Sequence, residues 1–536
     1  MPLLNLLFQK FSTKERKFFL GGIILVVLLL IFLSFLIIRD SGTFVSIPGG
    51  SYTEGIIGQP ININPILSAN PTDQEISLLL YSRLSNLLQT WNASSDGKTY
   101  TLELKDGLRW SDGQPLTSDD VLFTINTVQN YNAHSPLYQS WQGVSTERVS
   151  SLQIKITLPN QNVFFKDTID NLPVIPEHIY GSIPAENYSL SDYKLQPIGS
   201  GPYLFKSFSK RKDGFITSYE LSANPFYAGT KPLIPTFSFK FFKNTDEVTQ
   251  ALELHQINGY GSMWPTGVDT SLLKGFVVDT IPVSDYYAVF FNPTVNPILK
   301  DPNIRAALAM SIDTNEIIDK ILSPEATPVA GPVLISGIPA PTSTLSTSTV
   351  TNLISKYKSK NKNQPLTITL SVPDIQFLKN AAQIIRSDWK NIGIDHVNIQ
   401  TVDMSDPVNS PLKTRDYDAL LFGNFLQNPE DLFPFWHSSQ ITYPGLNLAS
   451  YQSTKADNLM ETIRETSDEG TRQTLLGNLQ STIVNDDPAA FLFSLPYQYI
   501  HSDDLRGFAS GHVASPSDLY RDVSHWSIAE VQVIKP

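Results

Sequence analysis

One stretch of the chain is hydrophobic without interruption, and everything beyond it is patterned. Residues 18–38 read FFLGGIILVVLLLIFLSFLII, with no charge and Ser34 as the one hydroxyl. At about 1.5 Å per residue in a helix, 21 residues match a hydrocarbon layer of about 30 Å. Lys10, Lys14, Glu15, Arg16 and Lys17 precede the run with a net charge of +3, and Arg39 and Asp40 behind it cancel. The positive-inside rule then puts residues 1–17 in the cytoplasm and those beyond 40 outside. A secretory signal has a shorter apolar region, roughly 7–15 residues, and small residues at its cleavage site. RDSGTF follows here instead. An uncleaved, single-pass anchor at 18–38 is expected, with 39–50 as a turn-rich tether.

Past the tether the apolar positions fall into short periodic groups. Thr72 and Glu75 read as a capping box before Ile76, Leu79, Leu80, Leu84 and Leu87 at helical spacing. Thr99–Leu104 alternates as a strand does. Thr117 and Asp120 cap a helix with the stripe Val121, Leu122, Ile125 and Val128. Asp301 and Pro302 sit at N-cap and N1 of another, and Asp313 with Glu316 opens a further one. Leu366–Val372 reads as a strand, Phe377 to Trp389 as a helix ended by Gly393, and Val397–Val402 as a strand. That βαβ unit predicts a partly parallel sheet. The mixture throughout points to layered α/β lobes.

Composition narrows the function. A chain of 536 residues exceeds one hydrophobic core. A formal charge of −12 argues against nucleic-acid binding, which needs a concentrated basic face. Without cysteine there is no disulfide, no thiolate metal site and no lipidated cysteine. The eight histidines lack metal-site spacing, and no nucleophile elbow or phosphate loop occurs. No catalytic residue, metal or cofactor is therefore expected. Pro339–Thr351, rich in Ser and Thr, and the lysines 356, 358, 360 and 362 read as a solvated surface connection.

Trp110–Val121 reads WSDGQPLTSDDV after a strand and before a helix. This closely resembles the signature of the extracellular solute-binding protein family 5, the oligopeptide and dipeptide binding proteins. Tyr52–Leu67, Ile198–Phe205 (IGSGPYLF), Leu221–Phe242, Phe291–Ile318 and Tyr417–Tyr451 resemble further family segments in family order. The resemblance covers residues 51–536. It implies a mixed α/β, two-lobe periplasmic-binding-protein-like fold of type II, cluster C, with an inserted subdomain. Carried onto this chain, lobe I is 51–90, 197–285 and 505–536, the subdomain 91–196, and lobe II 286–504. The WSDG segment is structural in this reading.

The resemblance also implies a substrate-binding component of an ABC importer at the outer face of the cytoplasmic membrane. Its partners would be a peptide or other small solute, permease and ATPase subunits, and the membrane through the N-terminal helix. Peptide-binding relatives place an aspartate, four residues before a proline, against the ligand's amino group. Here Phe425 holds that position in Phe425-Leu426-Gln427-Asn428-Pro429, and SVPDIQ at 371–376 lacks the arginine some dipeptide binders use. A dipeptide clamped at both termini is thus not expected, since a buried unpaired ion costs several kcal/mol. A longer peptide held through its backbone, or a neutral solute such as an oligosaccharide, both fit. Affinity would then depend weakly on salt and pH. Candidate ligand residues are Phe425, Gln427, Asn428, Trp436, Trp264, Tyr287 and Asn62, with Phe425 and Trp436 flanking the loop that carries contacts in relatives. A membrane-anchored hydrolase is the rival from another class, and a sensing or adhesion module on the same fold a third.

Overall fold

The computed structural model describes residues 12–534 apart from 68–69, 264, 266, 323, 340–346, 405–409, 510 and 512. The apolar run lies in helix Thr13–Ser41, whose side chains up to Ser34 are exposed. Strand Gly42–Ser46 follows without a break and pairs antiparallel with Glu530–Ile534. Within the stretch expected as a tether, Gly42–Ser46 is thus one strand of an ordered ribbon. Backbone bonds from Ile47 N to Ala529 O (3.0 Å) and Gly49 N to Leu233 O (2.9 Å) tie it to the body of the protein.

Three larger sheets follow. A seven-stranded sheet runs in the order Phe276–Ile281, Tyr497–Ser502, Gly259–Met263, Ser51–Ile57, Thr236–Phe242, Ile216–Ala223, Tyr203–Lys210 and heads lobe I. A six-stranded sheet runs Thr327–Pro328, Ala489–Ser494, Asp285–Phe291, Ala419–Phe425, Thr367–Pro373, His396–Val402 and heads lobe II. A four-stranded antiparallel sheet, Leu88–Ala93, Thr99–Leu104, Gln153–Thr157 and Ser145–Arg148, forms the inserted subdomain. The chain passes between the two large sheets at Pro282–Ser284 and returns at Leu495-Pro496. The second passage lies earlier than the expected 504, because Tyr497–Ser502 hydrogen-bonds to both Gly259–Met263 and Phe276–Ile281.

The expected βαβ unit is present. Thr367–Pro373 and His396–Val402 pair in parallel on either side of helix Gln376–Asn391. Gly393 follows the helix at φ +104, a left-handed conformation that glycine adopts freely. Helix Ser118–Val128 has the complete Thr117–Asp120 capping box. Asp301 and Asp313 cap their helices as expected. Helix Pro71–Leu80 differs. Its cap is Asn70, whose side chain accepts from Thr72 N, with Pro71 at N1. Asp73 instead turns back to accept from Ile61 N (2.8 Å) and Asn62 N (3.0 Å). The lysines at 356, 358 and 360 stand on helix Thr347–Lys360 rather than on a loop, with Lys358 paired to Asp395.

Packing explains the family motifs. Gly113 has φ +87 and donates to Trp110 O, closing the WSDG turn. Asp112 accepts from Gln114 N and meets His178 Nε2 at 2.9 Å. Ser111 N donates to Gly199 O, so the turn is bolted to the IGSGPY loop. A Cβ on Gly199 would fall 1.8 Å from Leu80 O, which is why the loop needs glycine there. One continuous apolar core joins Trp110, Ile125 and Ile154 of the subdomain to Tyr52, Phe237 and Trp526 of lobe I. Lobe II has two cores of its own, one on each face of its sheet.

Candidate functional site

Two strand ends and both chain passages meet at one place. Strand Asp285–Phe291 starts there, straight after the first passage, and its antiparallel neighbour Ala419–Phe425 ends there. Asp285 and Phe425 are Cα partners in that ladder, as are Tyr287 and Gly423. Directly paired residues project to the same face of a sheet. Phe425 is half-buried and packs against the lobe I core, while Met263 at the end of a lobe I strand packs against cores of both lobes. This is the seam between the lobes.

Asp285 is 1% exposed. One carboxylate oxygen, Oδ1, accepts from Ser494 Oγ at 2.6 Å and Leu495 N at 3.2 Å, both at the second passage. Its other oxygen, Oδ2, is buried and has no hydrogen-bond partner among the described residues. Burial pushes the carboxyl up to about 7, against smaller opposing effects of the Ser494 and Leu495 hydrogen bonds. In lobe I, Glu54 is also buried and pushed well up, and Tyr499 Oη donates to it at 2.8 Å. Neither carboxylate owes any of its shift to a basic residue.

The loop after Phe425 closes the seam further out. Asn428 Nδ2 donates to Asp167 Oδ2 of the subdomain at 3.0 Å. Glu430 pairs with Arg472 (2.5 Å), and Asp431 takes both Nε and Nη2 of Arg464 (2.9 and 2.8 Å). The Arg464 guanidinium lies 3.9 Å from the Phe433 ring centroid. Subdomain and lobe II also meet through Val163 N to Arg464 O (2.8 Å) and Gln161 Nε2 to Ser467 Oγ (3.2 Å), and Phe164 enters a lobe II core. These bonds join the subdomain to lobe II across the seam.

The candidates chosen from sequence fall in different places. Phe425 stands at the seam, and Asn428 crosses it. Gln427 between them is exposed. Trp436 does not face the cleft. The turn Phe433–Trp436 carries its indole into the lobe II core, where it is 0% exposed and donates to Tyr286 Oη at 3.1 Å. Tyr287 is also buried, stacked on Phe493 at 5.2 Å with Phe377 edge-on at 5.7 Å. It supports the sheet under Gly423 and offers no open face. Asn62 lies on lobe I in the loop held by Asp73. Trp264 lies outside the described residues. Sequence reasoning missed Asp285, Asp167 and Met263. The signal for Asp285 was available: it is a lone acid opening the apolar strand DYYAVFF. Among the described residues no group of His, Cys, Asp and Glu could hold a metal. A surface groove lined by Ser111, Asp192, Tyr193 and Pro197 shares no residue with the seam.

Comparison with known proteins places this geometry. The model of bacterial extracellular solute-binding proteins, family 5, matches residues 85–443. Oligopeptide-binding protein AppA of Bacillus subtilis is 24% identical over 518 residues, covering 90% of this chain and 92% of AppA. Protein XP55 of Streptomyces lividans is 24% identical, covering 85% of each. Among solved structures, AppA of Bacillus subtilis in complex with a nonapeptide superposes with TM-score 0.78 at 22% identity, covering 90% of this chain and all of that one. The ABC transporter substrate-binding protein CtaP of Listeria monocytogenes gives 0.74 at 25%, covering 90% and 99%. The family match spans both lobes and the WSDG segment, and the chain belongs to the bacterial extracellular solute-binding proteins, family 5.

Proposed function

We propose that this chain is the extracytoplasmic binding component of an ABC importer, capturing oligopeptides between its two lobes for delivery to a permease. The observation that carries the reading is the seam. Two large sheets are joined by two short passages, and a subdomain fused to lobe I meets lobe II through Asn428–Asp167 and Val163–Arg464. Such a hinge and clasp suit a solute enclosed on closure. AppA is named for oligopeptide binding and CtaP for substrate binding, and the AppA structure holds a nonapeptide, which supports a peptide ligand. Phe425 at the seam suits an apolar side chain of that peptide. No catalytic role is assigned.

Helix Thr13–Ser41 is proposed as a single-pass anchor, with the lobes outside the cytoplasmic membrane. Native mass spectrometry of the purified full chain tests the ligand. Co-purified peptides of several residues are expected, and an exclusively saccharide ligand would overturn the peptide reading. Protease treatment of intact spheroplasts tests the topology. The lobes should be digested while the N-terminal segment stays membrane-bound, and a mature protein starting near residue 40 would refute the anchor.

A further inference from the structure

We propose that Asp285 is the ligand's cation site, receiving an ammonium group from a peptide through Oδ2, the carboxylate oxygen that has no hydrogen-bond partner among the described residues. The proposal rests on the peptide reading above and names the group that recognises the ligand's charge.

The geometry has three parts. The carboxylate is already oriented, because Ser494 Oγ and Leu495 N hold Oδ1 and leave Oδ2 without a partner among the described residues. A buried polar atom without a partner is costly, so one left bare in an otherwise satisfied group marks a place where a donor is missing. The position is right as well. Asp285 is register-opposite Phe425, whose ring touches the lobe I core, so the carboxylate lies on the sheet face turned to the seam. Finally, no protein cation competes for it among the described residues. An ammonium has three donors and fits one bare carboxylate oxygen with capacity left for backbone carbonyls.

The place also links binding to closure. Asp285 begins directly after one passage between the lobes, and its hydrogen-bond donors begin the other. A cation docking there sits on the hinge itself and favours the closed arrangement in which the carboxylate is covered. Burial lifts the carboxyl, and an arriving ammonium would restore the charged form by a close, charge-assisted contact. The weak dependence on ligand charge expected from Phe425 alone is therefore replaced by dependence on an amine one strand away.

An ammonium comes from a peptide N-terminus or from a lysine side chain, and the experiment separates the two. The full chain in detergent, freed of co-purified ligand, is offered three random oligopeptide pools at equal concentration. One is lysine-free with free N-termini, one is lysine-free and N-acetylated, and one is N-acetylated with a single lysine. Captured peptides are quantified by mass spectrometry. Wild type should favour one of the amine-bearing pools over the lysine-free acetylated pool by about tenfold or more. Asp285→Asn, which preserves shape and the Ser494 and Leu495 contacts, should erase that preference while still capturing peptides. Asp285→Glu should keep part of it, which a merely structural role would not do. Equal capture of all pools by wild type would overturn the cation site and leave the peptide reading standing. An unchanged preference in a folded Asp285→Asn protein would do the same. Capture from none of the pools would overturn both.

Discussion

Asp285 and Phe425 stand side by side across one antiparallel ladder, a buried carboxylate beside an aromatic ring at the meeting point of the lobes. The pair puts an acid and an apolar surface on one face, and each has its own measurable consequence.

The acid should make stability depend on pH. Burial raises Asp285 to about 7 in the folded chain, against about 3.9 unfolded. The folded state then binds the proton more tightly. The stabilisation is fully present below about pH 4 and is lost as pH rises through about 7. Asp285→Asn has no such loss. Its stability relative to wild type should climb between pH 4 and 7 and level off above, by at most about 4 kcal/mol. Glu75, pushed to about 8, and Asp487, to about 6, titrate nearby in pH, so the variant-minus-wild-type difference in urea unfolding is the quantity to read. A flat difference would show that folding does not raise the carboxyl.

Trp436 should matter to folding and not to ligand. Its indole is fully enclosed with Tyr286, Phe290 and Phe491 around it. Trp436→Ala should cost about 3–5 kcal/mol, as large aromatic truncations in cores do. Peptide affinity of the remaining folded fraction, measured by calorimetry, should stay within about twofold. A large affinity loss at an unchanged melting temperature would return Trp436 to the ligand.

Asn428 and Asp167 form a clasp that exists only while the lobes are together. Asn428→Ala removes one exposed side-chain hydrogen bond, about 0.5–1.5 kcal/mol, between lobe II and the subdomain. Affinity should fall by up to about tenfold. Small-angle scattering should show a larger open fraction before ligand is added. The melting temperature should barely move. Asp167→Ala should match it, and the double variant should add nothing further.

The WSDG turn should behave as scaffold. Asp112→Ala removes the acceptor for Gln114 N and the contact to His178, and should cost about 1–2 kcal/mol with affinity unchanged. Gly113→Val forces a branched side chain to φ +87 and should cost more. Affinity loss without loss of stability would place the motif in the ligand site.

What the sequence revealed depended on the range of the interaction. Thr117 with Asp120, Asp301 with Pro302, and the alternation in Thr99–Leu104 are local signals, and each gave its element. Thr72 failed because Asn70 and Pro71 together made a better start, and that freed Asp73 to hold the Asn62 loop. Trp436 was chosen for flanking the loop that carries contacts in relatives, and a place beside a loop in sequence does not say which way an indole points. The second passage was misplaced since nothing local in YQYIHS at Tyr497–Ser502 says which sheet it joins. Its pairing with Gly259–Met263 and Phe276–Ile281 assigns it. Asp285 was visible as a misfit in an apolar strand, but its meaning required the register that sets it beside Phe425.

The ribbon between Gly42–Ser46 and Glu530–Ile534 has a mechanical consequence. In the proposed topology no slack chain separates the bilayer from the ribbon, since the strand begins where helix Thr13–Ser41 ends. Lobe I and the subdomain share a core, so on that topology they would be the stationary jaw, held at one height, and lobe II the one that swings. A binding protein on a long leash sweeps a volume to find its transporter. This one would search by sliding in the plane of the membrane, always at the same height, so that every encounter with a permease is a two-dimensional collision.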